Sequence, residues 1–443
     1  MDFAQILPQF GGAAFTIAAF VVALSIIVAV HEYGHYIVGR WFGIHAEVFS
    51  LGFGPILFSR VDRHGTRWQV AALPFGGYVK FLGDANAASV GQTEVSESQR
   101  RRTMLGAPLW ARAATVAAGP IFNFILSILI FGIVIFSQGQ PANPVRVASV
   151  IGLPAELEPG FTPSDEVVAV EGMPTPTAME FVLALDALEV APQVTYTVRR
   201  DGTEIEITGS WPYPAVASGI NPNSAAYDVD IRPGDVVTAI DGTSIYAFGQ
   251  LVDAVSASNG QPLELTIWRD GEILTFAVTP RLSDLQTRGG EFETRWIIGL
   301  SGGLSFDMET ESPGGLNALW MGVQQVGSII MMSLSGLWHM ITGAISSCNL
   351  SGPVGIAKAS GAMASQGGAS FIWLVAVLST SVGILNLFPI PILDGGHLVF
   401  HAYEGITGRQ PSDLALRILM AAGLSIILTL MVFALANDLF LCP

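Results

Sequence analysis

The sequence predicts a polytopic α-helical membrane protein: about four transmembrane helices, a membrane-associated β-hairpin and two inserted β-rich domains. Three observations predict it. The 443 residues are 51% hydrophobic and only 13% charged, with a mean hydropathy of +0.52, as expected of a chain that crosses a bilayer. The formal charge of −16 is concentrated in residues 139–315, which hold 25 Asp and Glu against 8 Lys and Arg. A stretch of that acidic block also recurs seventy residues later, the signature of a tandem domain. An acidic insert between apolar segments argues against nucleic acid as a partner.

The first transmembrane segment lies in residues 1–44, with an apolar run from about Ala13 to Val38. It lacks the basic start of a cleavable signal peptide, so it is expected to stay as a span. Its end reads His31-Glu32-Tyr-Gly-His35. Two histidines four apart stand on one face of a helix and can share a zinc ion. Glu32 is placed to take a proton from a water that such a metal acidifies. Ionisable groups at the end of an apolar span are costly unless they have a function.

Residues 45–111 form a loop rich in Arg and Lys, while the tail before the first span has neither. The positive-inside rule therefore puts this loop in the cytoplasm and the N-terminus outside. Residues 56–61 and 67–73 flank Asp62-Arg-His-Gly-Thr66 and read as a hairpin, preceded by Gly52-Phe53-Gly54-Pro55 and followed by Pro74-Phe-Gly-Gly-Tyr78. A sheet dipping to the level of the metal would offer an open edge to an extended substrate. The second span occupies 112–138. Its Ala118-Gly119-Pro120 allows close helix packing, and Asn123 reads as an interhelical hydrogen-bonding residue.

The acidic block divides into domains at 139–210 and 211–285. Asp165-Glu-Val-Val-Ala-Val-Glu171-Gly172 parallels Asp235-Val-Val-Thr-Ala-Ile-Asp241-Gly242, and Arg200-Asp201-Gly202 parallels Arg269-Asp270-Gly271. Residues 286–370 read as a linker and a membrane-surface amphipathic helix near 316–345. The third span occupies 371–400, running to about Leu393. Pro389 and Pro391 interrupt it before Asp394-Gly395-Gly396. If 316–345 does not span, Asp394 returns to the side of the bilayer that holds His31 and His35. The fourth span and C-terminus occupy 401–443, with the terminus outside. Cys348 and Cys442 make no ligand pattern, and a disulfide between them would require an oxidising compartment.

The second acidic copy, with Pro233-Gly234-Asp235 and Ala239-Ile-Asp241-Gly242, resembles a PDZ domain of the permuted bacterial type. The first copy carries Ser164 where the second has Gly234. His31-Glu32-Tyr-Gly-His35 together with Asn386 and Leu393-Asp394-Gly395 resembles the site-2 protease family of intramembrane zinc metalloproteases. The two PDZ-like domains, the Gly52-Phe53-Gly54 region and Leu350-Ser-Gly-Pro-Val-Gly-Ile-Ala-Lys358 point to its RseP branch.

The resemblance implies a bacterial inner-membrane enzyme with its PDZ domains and both termini periplasmic. It implies Zn2+ on His31, His35 and Asp394, Glu32 as catalytic base, and Asn386 near the substrate backbone. Pro389, Pro391, Gly52, Phe53 and Gly54 are the further candidates for substrate binding. The implied partners are the lipid bilayer and a transmembrane substrate, an anti-sigma factor or a signal-peptide remnant trimmed beforehand. Two other classes compete: a PDZ-bearing scaffold with a non-catalytic metal site, and a zinc transporter. A transporter would need more ionisable residues within the spans than this chain has.

Overall fold

The structure is a computed structural model that describes residues 3–84, 96–221, 224–287 and 292–441. Its helices are α1 (Phe3–Trp41), α2 (Leu109–Gln138), α3 (Ala178–Ala187), α4 (Ala225–Asp228) and α5 (Phe248–Ala257), followed by α6 (Gly315–Ile341), α7 (Pro353–Ser365), α8 (Gly368–Leu387), α9 (Asp394–Thr407) and α10 (Asp413–Ala436). The chain divides into two units. One takes residues up to 134, 315–338 and 350–443; the other takes 135–314 and 339–349.

Among the described residues, four helical stretches are long and apolar enough to cross a bilayer: Gly12–Trp41, Leu109–Gln138, Gly368–Leu387 and Leu414–Leu441. The helix α6, at 27 residues, is not among them. The spans pack through small and hydroxyl residues. Ser127 Oγ donates to the Ala376 carbonyl at 2.8 Å, and Ser379 Oγ donates to the Asn123 carbonyl at 2.9 Å, joining α2 to α8. Such contacts substitute for the hydrophobic drive that lipid removes. Ala23 and Ile27 of α1 bury against Val375 of α8.

The third span ends earlier than the sequence suggests, at Leu387 rather than near Leu393. Phe388, which precedes Pro389, is extended with ψ 144° because the proline ring excludes the helical region for its neighbour. The chain then turns so tightly that side chains at Gly395 and Gly396 would overlap the Leu387 and Ile390 carbonyls. The turn delivers Asp394 as the first residue of α9.

The expected hairpin is present. The strand β1 (Ala46–Val61) pairs with β2 (Arg67–Phe81), from Val61 opposite Arg67 to Ile56 opposite Ala71. The sheet is larger than that hairpin. The first half of β1 also pairs along β2, with Val48 opposite both Arg67 and Lys80 and Leu51 opposite both Val70 and Gly77. The kink at Gly52 and Gly54, both at positive φ, makes this folding-back feasible. Asp62 in the turn anchors the sheet to α1. It accepts from Tyr36 Oη (3.1 Å), Trp68 Nε1 (3.0 Å) and the His64 and Thr66 amides (2.8 and 3.0 Å). Burial works against its ionisation, but these donors outweigh it and hold the carboxyl down at about 2.

The second unit explains the sequence repeat. Each β-rich domain holds a four-stranded sheet with the same order. In the first, Met173–Pro174, Glu166–Val170, Val194–Arg200 and Thr203–Gly209 lie side by side. In the second, Thr243–Ser244, Val236–Ile240, Leu263–Arg269 and Glu272–Val278 do so. In each, a buried aspartate takes a two-pronged arginine, Arg200 on Asp165 at 2.8 and 2.7 Å and Arg269 on Asp235 at 2.6 Å twice. The same aspartates accept the Thr162 and Arg232 amides at 2.8 Å. Residues from 286 onwards hold more strand than a linker would. Leu300–Gly302 pairs with Ala217–Ile220, and Phe306–Met308 pairs with Val147–Val150. Three-residue strands carry too little alternation to be seen in sequence. The disulfide considered for Cys348 involves Cys442, which lies outside the described residues.

Each aspartate is buried while its arginine is partly exposed, so removing the aspartate costs the two-pronged hydrogen bonds and leaves the Thr162 or Arg232 amide without its acceptor. Asp235→Ala should therefore lower hydrogen-exchange protection in the second β-domain by about two orders of magnitude, and Asp165→Ala should do the same in the first. Unchanged protection would mean that the repeated Asp–Arg pairs are incidental.

Candidate metal centre and active site

The α1 helix presents His31 and His35 one turn apart, their rings edge to face with centroids 4.8 Å apart. The start of α9 brings Asp394 against both. His31 Nε2 lies 3.2 Å from His35 Nε2 and 3.2 Å from Asp394 Oδ2, and His35 Nε2 lies 3.4 Å from the same oxygen. Tetrahedral zinc with bonds of about 2.0–2.1 Å places neighbouring donor atoms about 3.3 Å apart, so the triangle has the size the ion requires. Asp394 Oδ2 is also buried with no hydrogen-bond partner in the structure. An orphaned carboxylate oxygen facing two imidazole nitrogens fits a divalent cation that accepts nitrogen and oxygen ligands.

The far sides of both rings are held, as ligating histidines require. His35 Nδ1 donates to the Thr115 carbonyl of α2 at 2.9 Å, leaving the Nε2 lone pair toward His31 and Asp394. The Asn123 amide lies 3.2 Å from His31 Nδ1, and Asn123 Oδ1 is buried without a partner. Ligation through His31 Nε2 requires the proton on Nδ1, so the amide must turn its oxygen toward that proton. This orientation also satisfies the orphaned Oδ1.

Glycines make the approach of these elements possible. A side chain at Gly119 would overlap His35 Nε2 and lie 2.8 Å from His31 Cε1. One at Gly34 would lie 2.5 Å from the Ala118 carbonyl oxygen. On the other side of α1, a Cβ at Gly77 of β2 would meet Val28 Cγ1 at 2.8 Å and Glu32 Cγ at 3.1 Å. The edge of the β-sheet thus runs directly beside Glu32.

His31, Glu32, His35, Asn386 and Asp394 line one cavity of about 940 Å³. Asn386 Nδ2 donates to the Val382 carbonyl at 3.0 Å, within its own helix. Gly52, Phe53, Gly54, Pro389 and Pro391 do not line the cavity. Phe53 stacks on Tyr78, which does line it, with ring centroids 5.9 Å apart. Sequence reasoning missed the carbonyl of Thr115, a backbone group without a residue-type signal; Asn123 is the interhelical hydrogen-bonding residue that the sequence suggests, and its partner is the ring of His31. Sequence reasoning also missed Arg112 and Glu404, which line the same cavity.

Residues 19–430 match Peptidase family M50. A protein of Agrobacterium fabrum named as a zinc metalloprotease is 37% identical over 432 residues, covering 96% of this chain and 95% of that protein. One of Rhizobium meliloti with the same type of name is 35% identical, covering 96% of each. The regulator of sigma-E protease RseP of Salmonella typhimurium is 31% identical over 448 residues, covering 95% of this chain and 98% of that protein.

The space at Gly119 gives a direct check. Gly119→Ala should lower the zinc content of purified protein at least tenfold, on the scale of lost support around a metal. Gly327→Ala, whose new methyl meets nothing within 4 Å, should leave zinc unchanged. Equal zinc in both variants would contradict the placement of the ligands.

Proposed function

The chain belongs to peptidase family M50, and from that premise we propose that this metalloprotease is an intramembrane zinc endopeptidase that cuts single-pass transmembrane segments. The observation that carries the reading is the convergence of His31, His35 and Asp394 beside Glu32 within the helical unit. A scaffold with an inert metal site is the weaker reading, because it gives no use for a carboxylate facing the same cavity as the three ligands.

His31 and His35 through Nε2 and Asp394 through Oδ2 would hold the ion. When bound, zinc polarises the scissile carbonyl and lowers the pKa of water at the site. Glu32 takes a proton from the attacking water as the new C–O bond forms. It returns a proton to the amide nitrogen as the C–N bond breaks. The substrate helix must unwind locally, since helical backbone is shielded and fully hydrogen-bonded in lipid. The β2 edge at Gly77–Val79 lies beside Glu32 and would pair with the freed strand. Asn386, on the same cavity, would hold a backbone group near the scissile bond.

The excess of Arg and Lys in the loop between α1 and α2 supports a catalytic side that faces the cytoplasm of a bacterial inner membrane. The two β-domains and both termini are then periplasmic, and α6 lies on the outer membrane face. The repeated domains are read as PDZ-like and as a steric filter that admits a substrate only after its outer portion has been trimmed. An anti-sigma factor or a remnant signal peptide fits that description. A relative named as a regulator of sigma-E protease supports the former.

One assay of zinc content and cleavage covers these points, using a full-length and a trimmed single-pass substrate. Glu32→Gln should keep its zinc and lose cleavage by several orders of magnitude. A protein lacking about residues 145–283 should keep zinc and cut both substrates. Full activity of Glu32→Gln would sink the mechanism. Refusal of the full-length substrate by the deleted protein would remove the filter.

A further inference from the structure

Arg112, near the start of α2, is buried, with 7% of its side chain exposed, and Glu404 of α9 is only 18% exposed. They form a two-pronged pair, Nη1 to Oε2 at 3.0 Å and Nη2 to Oε1 at 2.7 Å. Neither residue is a metal ligand, and the proposed cleavage steps use neither. Their positions are nonetheless tied to the ligands at both ends. Arg112 stands three residues before Thr115, whose carbonyl holds His35, and so on the same face of α2. Glu404 stands ten residues after Asp394 on one continuous helix.

We propose that the Arg112–Glu404 pair is a positioning clasp that sets Asp394 against His31 and His35. The proposal rests on the reading of these three residues as zinc ligands. The geometry gives the reason. Residues 388–393 are not helical, so the frame of α8 does not carry over into α9. The orientation of α9 must be set by its own contacts. Close to Glu404, a Cβ at Gly405 would lie 3.3 Å from Leu109 Cδ2, so the second half of α9 runs close to the first turn of α2. The clasp locks this contact in one rotation and one axial register, since a guanidinium fork accepts a carboxylate in a narrow set of geometries.

Ten residues of helix make a lever of about 15 Å, so a tilt of about 4° at Glu404 moves Asp394 by about 1 Å. Metal–ligand distances tolerate only about 0.2 Å. Pairs of this kind are often no more stabilising than apolar residues of similar volume. What apolar packing does not reproduce is the directionality. The clasp thus connects the second ligand helix to the same strip of α2 that orients His35, and both histidine support and carboxylate placement depend on residues 112–115.

The test uses full-length protein purified in detergent, with zinc alone as the probe in competition against a chromophoric chelator. Arg112→Lys keeps the charge and loses the fork, and Glu404→Gln keeps the shape and loses the charge. Each should weaken zinc binding about 10–100-fold. Each should lower kcat by a similar factor on a model substrate and move KM less than about twofold, since the lost interaction acts through Asp394. The double variant Arg112→Met/Glu404→Met removes the buried charges together. It should melt at or above the wild-type temperature yet recover neither zinc affinity nor kcat. Wild-type zinc affinity in Arg112→Lys and Glu404→Gln would overturn the proposal. Recovery of affinity along with stability in the double variant would also overturn it, because the pair would then be merely structural. If a single variant fails to fold, the double variant decides alone. Absence of zinc binding by the wild-type protein would instead overturn the metal reading itself.

Discussion

Two imidazoles and a carboxylate are brought together inside an apolar helical bundle, and much of the first unit follows from the cost of doing so. A polar group without a partner in such surroundings costs several kcal/mol, and a charge costs more. The structure meets that cost group by group. The Nδ1 atoms of His35 and His31 are held by the Thr115 carbonyl and the Asn123 amide of α2. Their Nε2 atoms and the bare Asp394 Oδ2 remain, close enough to share one cation. The carbonyls of α2 and α8 serve Ser379 and Ser127 in turn, so the helix that supports the two histidine rings is itself tied to the bundle.

The same requirement explains where the chain gives up regular structure. Asp394 has to enter the site as the first residue of a helix that begins after a sharp reversal. Pro389 ends α8, and Gly395 and Gly396 allow the turn that no larger residue fits. Gly119 and Gly77 clear space on two sides of α1, one for the rings and one for the β-sheet beside Glu32. These positions would weaken an ordinary helix or strand, and they cluster around His31, His35 and Asp394.

Much of this was legible in the amino-acid sequence, for physical reasons. The spacing of His31 and His35, the apolar runs and the Asp165/Asp235 repeat all depend on residue type at fixed intervals, and the helices and paired arginines follow from them. What stayed hidden depends on backbone or on distant pairing. The Thr115 carbonyl has no side-chain signature, and Arg112 and Glu404 stand 292 residues apart. The short strands at 300–302 and 306–308 have no period long enough to detect. The sequence predicts a third span longer than the helix, because its apolar character continues past the residue at which proline geometry ends α8. The bend of β1 at Gly52 and Gly54 is likewise a matter of backbone conformation, both residues standing at positive φ.

The reading of the site as a zinc centre requires one ion held by two imidazole nitrogens and one carboxylate oxygen. X-ray absorption at the zinc edge of the purified protein tests it directly. A site built from His31, His35 and Asp394 should show four nitrogen or oxygen neighbours near 2.0–2.1 Å, two of them with the outer-shell scattering of imidazole rings, and no sulfur near 2.3 Å. A sulfur ligand, or a spectrum without imidazole scattering, would contradict it.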